Sequence, residues 1–178
     1  MDSRFIFRDI RPEEWEEASV IESICFPPHE ACTPEHIRDR VQAAAEQFLV
    51  AEDKETGKLA GFLNGIVTKE KRFRDEFFTQ ESLHDPGGDH VMLLGLDVLP
   101  GYRMQGLART IVTRYAQRER KKGRKALVLT CLENKVDMYL KFGFEDLGLA
   151  DSCWGGEEWH EMILMLDRIT EDKGKEEE

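Results

Sequence analysis

The 178-residue sequence predicts a mixed α/β domain, and three observations carry that prediction. Short apolar runs that read as strands alternate with stretches of helical periodicity from Phe5 to Leu166. The most apolar run, His90 to Val98, sits in the middle of the chain and leads directly into a turn and an amphipathic helix. No linker or internal repeat divides the chain, and 40% hydrophobic residues at this length are enough for one core without metal or disulfide staples. The expected organisation is one domain over residues 1–167 and an acidic, disordered tail over 168–178.

Phe5-Ile6-Phe7 reads as a first strand, and Pro12-Glu13-Glu14 opens a helix, because proline and acids suit a first helical turn. Trp15, Ala18, Ile21, Ile24 and Cys25 keep i, i+3, i+4 spacing and predict one buried stripe through about Phe26. A proline-stiffened loop over 27–34 follows, then Thr33-Pro34-Glu35-His36 with the N-cap and proline of a second helix running to about Glu46. Phe48 to Glu52 and Lys58 to Val67 flank a polar segment ending in Gly57, a hairpin signal. Thr68 to Asp89 is a charged excursion with a helical turn expected near 77–82.

His90 to Val98 is the candidate central strand, followed by a helix from about Gln105 to Lys122 that Lys121-Lys122-Gly123 closes. Ala126 to Thr130 is a strand, Asn134 to Phe142 a short helix with Gly143 behind it, and Phe144 to Leu149 and Glu158 to Leu166 are the last strands. Gly95, a glycine inside the central strand, marks a bulge or a close backbone approach.

Charge narrows the partners. Against 36 acidic residues stand 25 basic ones, a formal charge of −11, and the last eight residues hold five acids and two bases. A net field of that sign repels phosphate backbones and anionic lipid, so neither nucleic acid nor a membrane is an expected partner, and a cationic or amine substrate fits better. The opening MDSRFIFRDI lacks a basic region followed by an apolar core, and no run approaches 18 apolar residues, so a cytoplasmic location is expected. Cys25, Cys32, Cys131 and Cys153 form no CxxC pair and have too few histidines at ligand spacing, so reduced thiols and no metal site are expected.

The sharpest motif is the apolar strand running through Leu99-Pro100-Gly101-Tyr102 into Arg103-Met104-Gln105-Gly106-Leu107-Ala108 and a helix. A helix that opens on glycine and small residues offers unpaired N–H groups and the positive end of its dipole to a phosphate or pyrophosphate, with Arg103 and Arg109 adding charge. An ordinary strand-to-helix connection with a solvated arginine is the alternative. The pattern is neither G-x-G-x-x-G nor G-x-x-x-x-G-K-[ST], which argues against dinucleotide and nucleoside-triphosphate sites.

Arg103 to Ala108 after a buried strand resembles the acetyl-CoA motif R/Q-x-x-G-x-G/A of the GCN5-related N-acetyltransferases (GNAT), and the order of elements from Phe5 to Leu166 fits that family. The resemblance implies a mostly antiparallel mixed sheet whose central pair of strands splays apart, with helices on both faces. Three segments are similar to the arylalkylamine (serotonin) N-acetyltransferase branch: Thr79-Gln80-Glu81-Ser82-Leu83 with Pro86-Gly87-Gly88, the stretch Cys131 to Phe144, and Phe26 with Cys32-Thr33-Pro34. That resemblance implies acetyl-CoA as cosubstrate and transfer of its acetyl group to a primary amine in a ternary complex. It implies backbone contacts to the pantetheine arm from Leu96, Asp97 and Val98, and a pyrophosphate held by Arg103, Met104, Gln105, Gly106, Leu107, Ala108 and Arg109. Tyr139 would be the acid that protonates the leaving thiolate, a phenol of pKa about 10 matched to a thiol of about 8.5; a buried aromatic in a short helix is the other reading. Phe26, Pro34 and Trp159 would wall the acceptor pocket, Trp159 serving equally as a core strand residue.

One departure stands out. The branch's animal enzymes place a His-x-His pair on the central strand, and the matching positions here, also expected to face the acceptor, are Met92 and Leu94. Neither side chain can accept a proton. Another base acts through water, or the substrate arrives as the free amine, or the protein does not catalyse this reaction. His90, on the same strand face as Met92, is the first candidate base, with His29, Glu30 and Glu161 behind it, although a histidine beside a Pro-Gly-Gly turn also suits a solvated loop. Two rivals remain: a catalytically silent acyl-CoA-binding module, and the same fold acting on a polyamine, an aminoglycoside or a protein N-terminus. The chain is expected to be a monomer or homodimer.

Overall fold

A computed structural model of the chain describes residues 3–169. Strands β1 (Phe5–Asp9), β2 (Phe48–Asp53), β3 (Lys58–Thr68), β4 (His90–Val98), β5 (Ala126–Cys131), β6 (Glu145–Leu149) and β7 (His160–Met165) form one sheet in the spatial order β1-β2-β3-β4-β5-β7-β6. All neighbours are antiparallel except β4 and β5, which run parallel. The helices are α1 (Trp15–Cys25), α2 (Pro34–Ala44), α3 (Glu76–Thr79), α4 (Leu107–Lys121) and α5 (Glu133–Lys141).

Strand alternation divides the core between two faces. On one, Leu49, Leu63, Val67, Leu93 and Leu127 meet Leu107, Ile111 and Tyr115 of α4 and Tyr139 of α5. On the other, Phe48, Val50 and Phe62 meet Ala18 and Ile21 of α1 and Ile37 and Val41 of α2, while Ile66, Met92 and Leu94 pack with Phe73 and Phe77 around α3. Ile111 is fully buried, so its truncation to alanine would cost about 2–5 kcal/mol. Local signals place the helices: Thr33 Oγ1 accepts the His36 N–H (3.2 Å) with Pro34 in the first turn of α2, and Arg118, Arg120 and Lys121 complement the C-terminal dipole of α4.

Two features of β4 make the site. It pairs with β5 only over His90–Met92, opposite Ala126–Val128, and beyond that the two strands part. Against β3, Asn64 faces Gly95 while Gly65 faces Leu93, so Leu94 is the extra residue of a bulge beside Gly95.

Several boundaries differ from the sequence expectation. Pro12–Glu14 is a separate 3₁₀ turn ahead of α1, and α2 gives way to another at Ala45–Gln47. The helix expected from Gln105 begins at Leu107, because Gly106 takes the left-handed conformation (φ 78°) and the chain turns there before helix can start. At the boundary expected after 167, Leu166–Arg168 is a 3₁₀ turn, Arg168 bonds Glu145, and Ile169 packs on the core. The rest of the expected tail lies outside the described residues.

Candidate active site

The gap between β4 and β5 is the mouth of a cavity of about 610 Å³. Leu93, Gly95 and Leu96 line it from one strand and Leu129, Thr130 and Cys131 from the other. At one end stands the start of α4, and at the other the residues around Phe26 close the space.

The α4 end suits an anion. The first N–H groups of a helix have no intrahelical partner, and Gly106 leaves the approach to them open. Met104 also has a positive φ (61°) with a fully exposed side chain, a conformation that costs a non-glycine residue about 1–3 kcal/mol and is held by the turn around it. Arg103 donates from Nε to the Val98 carbonyl (2.8 Å), and the Arg109 guanidinium lies over the Phe142 ring (5.5 Å). The turn is anchored behind by Tyr102, whose hydroxyl donates to Asp53 Oδ2 (2.7 Å), and Arg4 also bonds that carboxylate (3.0 Å).

The opposite end is aromatic and acidic. Trp154 stacks on Phe78, with ring centroids 4.5 Å apart and planes 27° apart. Its indole N–H donates to the Glu30 carbonyl (2.8 Å), and Trp159 donates to the Trp154 carbonyl (2.8 Å). With Phe26 these rings form an apolar wall, and Glu22 and Glu30 are the carboxylates of the lining.

Tyr139 projects from α5 into the cavity, held edge-on by Phe142 (6.0 Å) and Phe144 (5.5 Å). Burial, reinforced by Cys131 and Asp97, pushes its phenol above the ordinary range, so it stays protonated and available as a donor. Burial likewise pushes the Cys131 thiol up to about 12, which leaves it neutral.

Of the residues singled out from sequence, Phe26, Leu94, Leu96, Val98, Arg103, Met104, Gly106, Leu107, Ala108, Arg109, Tyr139 and Trp159 line this one cavity. Five do not. Gln105 is exposed and donates to the Gly101 carbonyl (3.3 Å), and Pro34 is exposed at the start of α2. Met92 is fully buried against α3, just where β4 and β5 still pair. The Asp97 side chain points to the α1 face, away from the gap. His90 stands at the closed end of the strand pair, opposite Ala126, with its ring against Asp89 (2.8 Å). The paired length of β4 lies between it and the gap. Among the lesser candidates, Glu161 is buried in an ion pair with Arg72 (2.7 Å) and accepts the Phe73 N–H, and His29 pairs with Glu157 (3.2 Å).

Sequence reasoning missed Glu22, Phe78 and Trp154. Glu22 carried a signal, because it falls on the stripe of Ala18, Ile21 and Cys25, where a carboxylate is out of place. Phe78 and Trp154 lie in irregular segments with no periodicity to orient them.

Residues 7–144 match the family described as the acetyltransferase (GNAT) family. No curated protein matches the sequence. Among solved structures, a GNAT-like decarboxylase, GphF, in complex with isobutyryl-CoA superposes with a TM-score of 0.75 at 17% identity, over 90% of this chain and 99% of that one. The GNAT family N-acetyltransferase YhbS from Escherichia coli, in complex with CoA, gives 0.61 at 22% identity over 92% and 82%. The ribosomal-protein-S18-alanine N-acetyltransferase from Escherichia coli gives 0.67 at 18% over 94% and 97%. At these identities the likeness is one of fold.

Proposed function

The chain belongs to the acetyltransferase (GNAT) family, and from that premise we propose that it moves the acetyl group of acetyl-CoA to a primary amine on a small arylalkyl or similarly apolar molecule, by direct attack with both substrates bound. The observation that carries this reading is the single cavity that joins an anion-suited helix start, through the parted strands, to an aromatic wall with carboxylates.

The residues fit the cosubstrate. The first turn of α4 with Arg103 and Arg109 would take the pyrophosphate, and the free edge of β4 at Leu96 would take the amide-bearing arm as a sheet takes another strand. Val98 offers less, because its carbonyl already accepts from Arg103 Nε and from the Cys25 thiol (3.4 Å). The cosubstrate supplies the acyl group as a thioester. Tyr139 stands in the lining as the donor to the departing sulfur, and its raised pKa keeps that proton in place across the working range. Phe26, Phe78, Trp154 and Trp159 exclude water around the acceptor, and acidic groups at that end favour a cation there. Holding two reactants side by side supplies much of what such a transfer needs.

The test is thiol release across a panel of amines. Arylethylamines should turn over with one N-acetyl product per thiol, ahead of spermidine, an aminoglycoside and a peptide with a free N-terminus. Acetyl-CoA binding without turnover of any amine would identify a silent acyl-CoA-binding module instead.

A further inference from the structure

Behind the bulge lies a buried polar cluster. Glu22 of α1 is 2% exposed and Asp97 of β4 is fully buried. Among the described residues, no hydrogen-bond partner reaches Glu22 Oε1 or either oxygen of Asp97 other than the two carboxyls themselves, which face each other. Unpaired buried carboxylates are costly enough that proteins rarely keep two together without a use for them. Both approach one point: a Cβ on Gly95 would stand 3.1 Å from Asp97 Oδ1, 3.2 Å from Asn64 Nδ2 and 3.3 Å from Glu22 Oε1. Gly95 and Glu22 line the cavity. The absence of a side chain at 95 therefore leaves the carboxyl of Glu22 directly behind the backbone of the gap.

We propose that Glu22 is the base that takes the proton from the substrate's ammonium group, and that Asp97 is a positioning residue that holds Glu22 for this task. This rests on the reading of the chain as an amine N-acetyltransferase. The surroundings of Glu22 are defined on every side. From the loop before α2, the Cys32 N–H donates to Glu22 Oε2 (3.3 Å). From α2, the buried Arg40 supplies one positive charge while bonding Asn64 Oδ1 (2.8 Å), the Phe78 carbonyl (2.9 Å) and the Cys32 sulfur (3.6 Å). From β3, Asn64 donates on to the Gly95 carbonyl (3.3 Å). Cys25 is the other ionisable group of α1 nearby, and Arg103 faces it.

One arginine against two carboxyls leaves room for one proton. Burial, then the charge of Glu22, pushes Asp97 well above the usual carboxylate range, so the proton resides there. Burial also raises Glu22, and the bond from Asp97, the charge of Arg40 and the Cys32 N–H work against that rise. The step balances as follows. Glu22 takes one proton from R–NH₃⁺, and the freed electron pair forms the C–N bond as the C–S bond breaks. The sulfur leaves with that bond's electrons and takes the Tyr139 proton, the acylated nitrogen returns its surplus proton to the Tyr139 oxygen, and Glu22 releases its proton to solvent.

The first test needs no substrate. Infrared spectra of the wild-type protein at neutral pH should contain a protonated-carboxyl band that Asp97→Asn removes, and a wild-type spectrum without that band overturns the arrangement. The second is kinetic. Glu22→Gln should lower kcat/KM for the amine about 10²-fold and abolish the acid limb of its pH profile, with acetyl-CoA affinity by calorimetry unchanged. The loss should shrink for amines of low pKa, which arrive already neutral. Asp97→Leu should move the acid limb to higher pH by removing the donor to Glu22, and Asp97→Asn should move it back. A Glu22→Gln profile identical in shape to wild type overturns the base role while the acetyltransferase reading stands. Absence of turnover by wild type with any amine overturns that reading and the base role with it.

Discussion

Trp154 lies flat on Phe78, ring centroids 4.5 Å apart, and this stack ties the segment before β7 to the excursion before β4 across the aromatic end of the cavity. An aromatic pair of this kind is worth about 0.5–1.5 kcal/mol beyond its burial. Trp154→Ala should therefore raise KM for an arylethylamine about 2–10-fold. Its effect on acetyl-CoA affinity should be small, because α4 and β4 are untouched. Steady-state kinetics with each substrate varied in turn would separate the two.

Tyr139→Phe keeps the ring between Phe142 and Phe144 and deletes only the hydroxyl. Turnover should fall about 10²-fold, the lower part of the range for a lost general acid. The dissociation constant of acetyl-CoA should stay as it was. An unchanged kcat would take Tyr139 out of the reaction.

Asp53 couples the cosubstrate turn to pH. Bonds from Arg4 and Tyr102 hold its carboxyl down at about 2. A folded-state pKa below the unfolded value of about 3.9 means a stabilisation fully present above that value and lost as pH falls toward 2. Tyr102→Phe removes one of those donors, so the acid unfolding midpoint should move to higher pH and KM for acetyl-CoA should rise severalfold. Acid titration followed by circular dichroism checks the first, and initial rates at fixed amine check the second.

His90→Ala should leave the shape of the pH–rate profile unaltered, because His90 sits where β4 and β5 are still paired and its ring is held by Asp89. A displaced acid limb in this variant would return His90 to the chemistry.

The architecture was legible because its signals are local. The apolar run opening Phe48–Asp53, periodicity in Leu107–Lys121 and the glycines at 95 and 106 each report on their own few neighbours, and the sheet assembles what they specify. The α4 end of the cavity was legible for the same reason, since Arg103 to Ala108 is one contiguous turn. The aromatic end joins α1, α3, β4 and the loop before β7, and no spacing along the chain relates Glu22 to Gly95 or Phe78 to Trp154. His90 and Met92 lie outside the cavity because the strand face that reaches the gap does not reach it along its whole length. Alternation puts Met92 and Leu94 on one face, but the strands part only beyond Met92 and the bulge lies at Leu94.

The central claim is that amine and acetyl-CoA occupy the two ends of one cavity at the same time. A conjugate with an arylethylamine joined through an acetyl bridge to the CoA sulfur spans both ends and tests it directly. It should inhibit competitively against acetyl-CoA and against the amine, and bind more tightly than either, with Trp154→Ala and Tyr102→Phe each weakening it. Competition with acetyl-CoA alone, with affinity no better than that of CoA, would contradict the account.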